Sequence, residues 1–108
     1  MPVKRELTIP PDALIHPAVE IIRVWLANQQ QHVSLNIGFW EERGIDERTI
    51  LGIALADMMH HIVNAHESKY GRDREESLRL IRSAFDVEMA HPTSERLGSF
   101  IEDRSEGV

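Results

Sequence analysis

Cysteine is absent from the 108-residue chain, which removes disulfides, thiolate metal sites and a cysteine nucleophile. A long apolar run is missing too. The longest, Ile50 to Ala56, falls far short of the roughly 20 residues that a membrane span needs. Positive charge is in short supply, with twelve Lys and Arg against eighteen Asp and Glu, a formal charge of −6. No basic run concentrates what there is, so phosphate backbones are repelled on average and nucleic acid is not expected as a partner. The N-terminal Met1-Pro2-Val3-Lys4-Arg5 is followed by no apolar leader core. A cytoplasmic protein with no membrane partner is the expectation.

Catalytic signatures are equally scarce. No Gly-x-Ser-x-Gly elbow, P-loop, dinucleotide fingerprint or His-Glu-x-x-His occurs. The six glycines are dispersed, and none forms a phosphate cradle. Disorder of the whole chain is not expected either, because 42% apolar and 28% charged residues are ordinary for a globular protein. The length suits one domain.

The remaining patterns predict an α+β fold: three helices, a long central second helix, and a small antiparallel β element on which they pack. Leu7-Thr8-Ile9 reads as a short strand ended by Pro10-Pro11, which lack backbone donors. His16 precedes Pro17 and is pushed out of helical φ/ψ, while Pro17 suits a first helical position. A first helix is expected from there to about Asn28, with Ala18, Ile21, Ile22, Trp25 and Leu26 on one face. From His32 to Phe39 the period changes to two, a half-buried strand with Val33, Leu35, Ile37 and Phe39 inward.

The second helix has the clearest start. Asp46 is its N-cap, with Ile45 and Ile50 placed for a hydrophobic staple. It should run to Tyr70, with Gly71 as the left-handed terminator. Leu51, Leu55, Met58, Met59 and Ile62 are its expected core face. Asp73 caps a third helix, Glu76 completes a capping-box spacing, and Pro92 stops it. Its apolar stripe is Leu78, Ile81, Phe85 and Met89. Residues 1–92 thus read as one domain, and 93–108 as a partly ordered tail from which Leu97, Phe100 and Ile101 can dock. Two short strands are marginal by themselves. They need covering helices, an added strand from the tail, or a second subunit, and a homodimer is the expected assembly.

Several segments carry a family resemblance. Glu6-Leu7-Thr8-Ile9-Pro10, Glu20-Ile21-Ile22-Arg23-Val24-Trp25, His32-Val33-Ser34-Leu35, and Leu55-Ala56-Asp57 followed by His61 resemble a small bacterial family known only as a domain of unknown function. The similarity covers about residues 6 to 95. It implies a single bacterial cytoplasmic domain and brings no activity, cofactor or site with it. The stretch Glu41 to Arg48 departs from the pattern like an insertion.

Two constellations could carry chemistry. Asp57, His60, His61 and Asn64 share one helical arc about 100° wide. Carboxylate and imidazole together suit zinc or iron. Glu88 lies within the third helix's apolar arc, where a carboxylate is costly unless partnered, and His91 follows three residues on. Against a metal centre, isolated His and carboxylate pairs are far commoner than sites, and the ridge serves equally as a solvated helix side. The second constellation is the polar strand face of His32, Ser34 and Asn36 with Trp40 beyond it. Trp40 suits a partner or ligand contact, but large aromatics more often lid a core. The leading expectation is a non-catalytic protein-interaction or regulatory domain, homodimeric, using His32, Asn36 and Trp40 toward an unidentified protein partner. The alternative is a small metal-binding protein or metal-assisted hydrolase using Asp57, His60 or His61, and Glu88.

Overall fold

A computed structural model describes residues 6–93 together with the backbone of 97–102. The α+β architecture is as expected: three α-helices, the second the longest, beside a sheet with an antiparallel strand pair. In chain order the elements are α1 (Pro11–Ile15), β1 (Ile22–Ala27), β2 (Gln30–Ile37), a single 3-10 turn (Glu41–Arg43), α2 (Glu47–Tyr70), α3 (Arg74–Ala90) and β3 (Leu97–Glu102).

Two placements differ from the sequence reading. Residues 7–9 form no strand, and the expected helix from Pro17 to Asn28 is β1 instead. The apolar residues of this stretch fit either period, since Ile22, Val24 and Leu26 also alternate with Arg23 and Trp25. β-branched and aromatic side chains favour a pleated surface, and β2 offers a full partner. Val24 lies opposite Val33, and Trp25 opposite His32. The hairpin closes through Asn28 and Gln29, whose φ values of 53° and 61° are the positive pair that a two-residue type I′ turn demands. Asn tolerates that conformation well. Gln is an unusual occupant, which is why the turn is inconspicuous in the sequence. His16 does leave helical geometry ahead of Pro17, but it does so as the end of α1.

β2 occupies the predicted strand shifted by two residues, because Gly38 at φ 111° ends the alternation before Phe39 and Trp40. β3 pairs with it in parallel, His32 opposite Leu97 through Ile37 opposite Glu102. The sheet therefore gains its third strand from the stretch read as a tail. Residues directly opposite in the antiparallel pair share a face. One face of β1–β2 carries Ile22, Val24, Leu26, Val33 and Leu35, and the other Arg23, Trp25, His32 and Ser34.

The helical hairpin follows its local signals closely. The Asp46 side chain accepts from the Arg48 amide at 3.1 Å, and Asp73 from the Glu76 amide at 2.9 Å. Each satisfies one of the donors that a helix start leaves open. Gly71 at φ 67° terminates α2, its amide donating to the Glu67 carbonyl at 2.9 Å. Beyond the turn, Arg74 reaches back to Glu67 at 3.1 Å and to the Asn64 side-chain oxygen.

Packing is where the molecule departs most from a closed core. Among the described residues Val63, at 2% exposure, is the one fully buried apolar side chain. Extensive backbone approach is confined to strand on strand and α2 on α3; sheet and hairpin meet far less. The face of α2 expected to form the core is largely open, since Leu55, Met58 and Ile62 are all exposed. On α3, Leu78 and Ile81 are half-buried while Phe85 and Met89 are exposed.

Candidate functional site

The polar sheet face brings two of the three predicted partner-binding residues together. His32 and Asn36 lie four residues apart on β2, and both are half-buried. The His32 Nε2 lies 3.2 Å from the Ala27 carbonyl oxygen, which ties the ring to the end of the opposite strand. The Asn36 amide donates to the Ile21 carbonyl at 2.9 Å and extends the ladder beyond β1. The Asn36 Oδ1 is buried without a hydrogen-bond partner among the described residues.

Trp40 is also half-buried, but it has left the strand. Its backbone is αR and opens the 3-10 turn, with its carbonyl accepting from the Arg43 and Ile45 amides at 2.9 and 3.1 Å. Its ring meets Phe39 edge to face, centroids 5.2 Å apart, and the Arg43 guanidinium covers Phe39 at 3.9 Å. Such aromatic pairs prefer this T-shaped arrangement, with the positive edge on the negative face. The turn from sheet to helix is therefore a packed Arg–Phe–Trp unit.

Glu47 was not singled out from the sequence. It is buried to 4% exposure, and both carboxylate oxygens accept from the Gly38 amide, at 3.2 and 3.0 Å. Its own amide donates to Glu41 Oε2 at 3.0 Å. The carboxylate thus bolts the end of β2 to the first turn of α2. An acidic residue in a first helical turn is ordinary sequence, and nothing in the spacing to Gly38 marks it. Next to it, the Arg48 side chain reaches Asp46 at 2.7 and 3.0 Å. That hydrogen bonding holds the exposed Asp46 carboxyl below its ordinary pKa and the Arg48 guanidinium above its own.

The predicted metal ligands stay on the outside. Asp57, His60 and His61 are exposed along α2. Glu88, half-buried near the end of α3, accepts from the Thr93 amide at 2.7 Å and the Thr93 hydroxyl at 2.9 Å. Those bonds secure the chain after Pro92 and account for a carboxylate in an apolar arc. Among the described residues no three His, Asp or Glu side chains converge as a metal-holding group. No described helix is long and apolar enough to cross a membrane.

A solved structure described as that of "a putative pyruvate dehydrogenase from the photosynthetic bacterium Rhodopseudomonas palustrus CGA009" is similar to this chain, with a TM-score of 0.68 and 19% identity. The likeness covers 92% of this chain and 97% of that one, and at such identity it shows a common fold. No curated protein sequence matches. Residues 6–93 match the family described as Domain of unknown function (DUF5076), and the chain belongs to that family.

Proposed function

We propose that this chain is a non-catalytic protein-interaction or regulatory domain that works as a homodimer in the bacterial cytoplasm. The observation that carries the reading is exposed surface. A compact protein of 12.4 kDa exposes about 6,100 Å², whereas this protomer exposes 9476 Å². If the twenty residues whose side chains lie outside the description are granted the full exposure of an unfolded chain, the rest still exceeds a compact protein of its mass by about 900 Å². Doubled across two copies, that excess falls within the roughly 1,200–2,000 Å² that specific, stable protein–protein interfaces bury. Among the exposed side chains are aliphatic, aromatic and Met residues from both sheet and helices, including Val24 and Leu26 on β1. Large apolar side chains exposed on both the sheet and the helices of a lone protomer mark an interaction surface.

The polar strand face with His32 and Asn36, beside the Trp40 turn, is the proposed contact for a further protein partner. A metal centre at Asp57, His60, His61 and Glu88 is the weaker reading, because among the described residues no three His, Asp or Glu side chains converge as metal binding requires. Light scattering on the tag-free chain tests the leading reading. A mass of twice 12.4 kDa across the micromolar range is expected. A protomer mass at about 100 μM, with a melting temperature independent of concentration, would refute it.

A further inference from the structure

The open face of α2 has a regular spacing. Leu51, Leu55, Met58, Ile62 and Ala65 follow one another at intervals of four, three, four and three residues. That is the alternation of a coiled-coil seam, and on a helix it fills an arc about 80° wide. Leu55, Met58 and Ile62 are 51%, 39% and 46% exposed, although they lie at the centre of a 24-residue helix. Val63 and Met59, the more buried positions, sit about a quarter-turn away around the same helix.

We infer that this seam is the homodimer contact, α2 packing antiparallel on α2 of a second copy about a two-fold axis at Met58. The inference rests on the homodimer reading and names the surface that makes it. A two-fold axis makes the contact self-complementary. Centred on Met58, it sets Leu51 opposite the partner's Ala65 and Leu55 within one residue of facing the partner's Ile62, so a large side chain meets a small one at each end. The positions flanking the seam are Gly52, Ala54, Met59, His61, His66 and Ser68. None is Asp, Glu, Lys or Arg, so a second copy meets no fixed like charge beside the seam, and the small ones allow close approach.

Direction follows from charge. The lead-in 41–48 has four acidic and two basic residues, whereas the exit 67–74 has two acidic and three basic. An antiparallel pair sets the acidic end of each helix beside the basic end of its partner. It also opposes the two helix dipoles, which a parallel pair would align. The surplus exposed area is of the size that such a contact, with neighbouring apolar side chains of α3 and β1, can bury.

The absence of cysteine makes the test direct, since one introduced thiol is unique in each protomer. Under mild oxidation Met58→Cys should crosslink most of the full-length chain into a dimer, and Leu80→Cys on α3 should not. A paired Leu55→Gln and Ile62→Gln variant should weaken dimerisation on the order of 100-fold, with helical circular dichroism retained. If that variant fails to fold, the thiol result alone decides. A wild-type dimer in which Met58→Cys does not crosslink would overturn the seam while leaving the homodimer reading intact. Equal crosslinking of Leu55→Cys would indicate a parallel pair and overturn the register. A monomeric wild type removes both.

Discussion

The helical hairpin and the sheet hairpin are each two antiparallel segments joined by a tight turn, yet they were legible to very different degrees. In the helical one, every boundary is a local event. Asp46 and Asp73 cap their own helices within three residues, and Gly71 ends α2 by a conformation that glycine adopts at no steric cost. In the sheet, the partner decides. Ile22–Ala27 becomes a strand because Gln30–Ile37 lies beside it, and the turn between them rests on Gln29, which has no strong preference for positive φ. Helix starts and stops can thus be read one at a time, whereas strands are read in pairs.

The comparison can be broken where the two halves join. Glu47→Ala removes both acceptors from the Gly38 amide inside a buried junction, and about 2–3 kcal/mol of stability should go with them. Urea unfolding at fixed protein concentration measures this, and Glu47→Gln, which keeps one acceptor oxygen, should lose less. An effect below about 0.5 kcal/mol would mean that sheet and hairpin are coupled by something else. Next in size come the helix ends. Gly71→Ala forces a Cβ into left-handed geometry, and Asp73→Ala strips a cap, each costing about 1 kcal/mol in the same measurement.

The sheet turn should respond in the opposite sense. Gln29→Gly relieves a positive φ and creates the Asn-Gly pair that such turns favour, so a stabilisation of about 0.5 kcal/mol is expected. Destabilisation would show that the Gln29 side chain has a packing role. The smallest effect concerns pH. Hydrogen bonds from Arg48 depress the Asp46 carboxyl, so its contribution is present above the unfolded value and is lost as pH falls through the folded one. Because the pair is exposed, only a slight drop in melting temperature is expected on acidification, and Asp46→Asn should flatten it. A large drop that survives in Asp46→Asn would point to other carboxylates.

The candidate site shows the same division. His32 and Asn36 share a strand face because period-two alternation is visible in the sequence, and it persists until Gly38. Trp40 was expected to continue that alternation, but a glycine at φ 111° reset the chain direction and put it in a 3-10 turn. Asp57, His60 and His61 do share a helix side. Sharing a side is a property of one helix; convergence of ligands requires a second element facing it, and none of the described residues supplies a third ligand. Glu88 looked anomalous because its acceptors' partner, Thr93, lies beyond the helix where periodicity gives no guidance.

By itself the sequence determined the α+β class, both long helices with their caps and terminator, the alternating strand, and the exclusion of disulfides that follows from missing cysteine. These rest on interactions within a few residues or on composition alone. Only the tertiary structure decided that Ile22–Ala27 is a strand, that residues 97–102 join the sheet in parallel, that Glu47 ties β2 to α2, and which side of α2 stays uncovered. Each of those depends on a partner distant in sequence, and periodicity shows that a face is apolar without showing what will cover it.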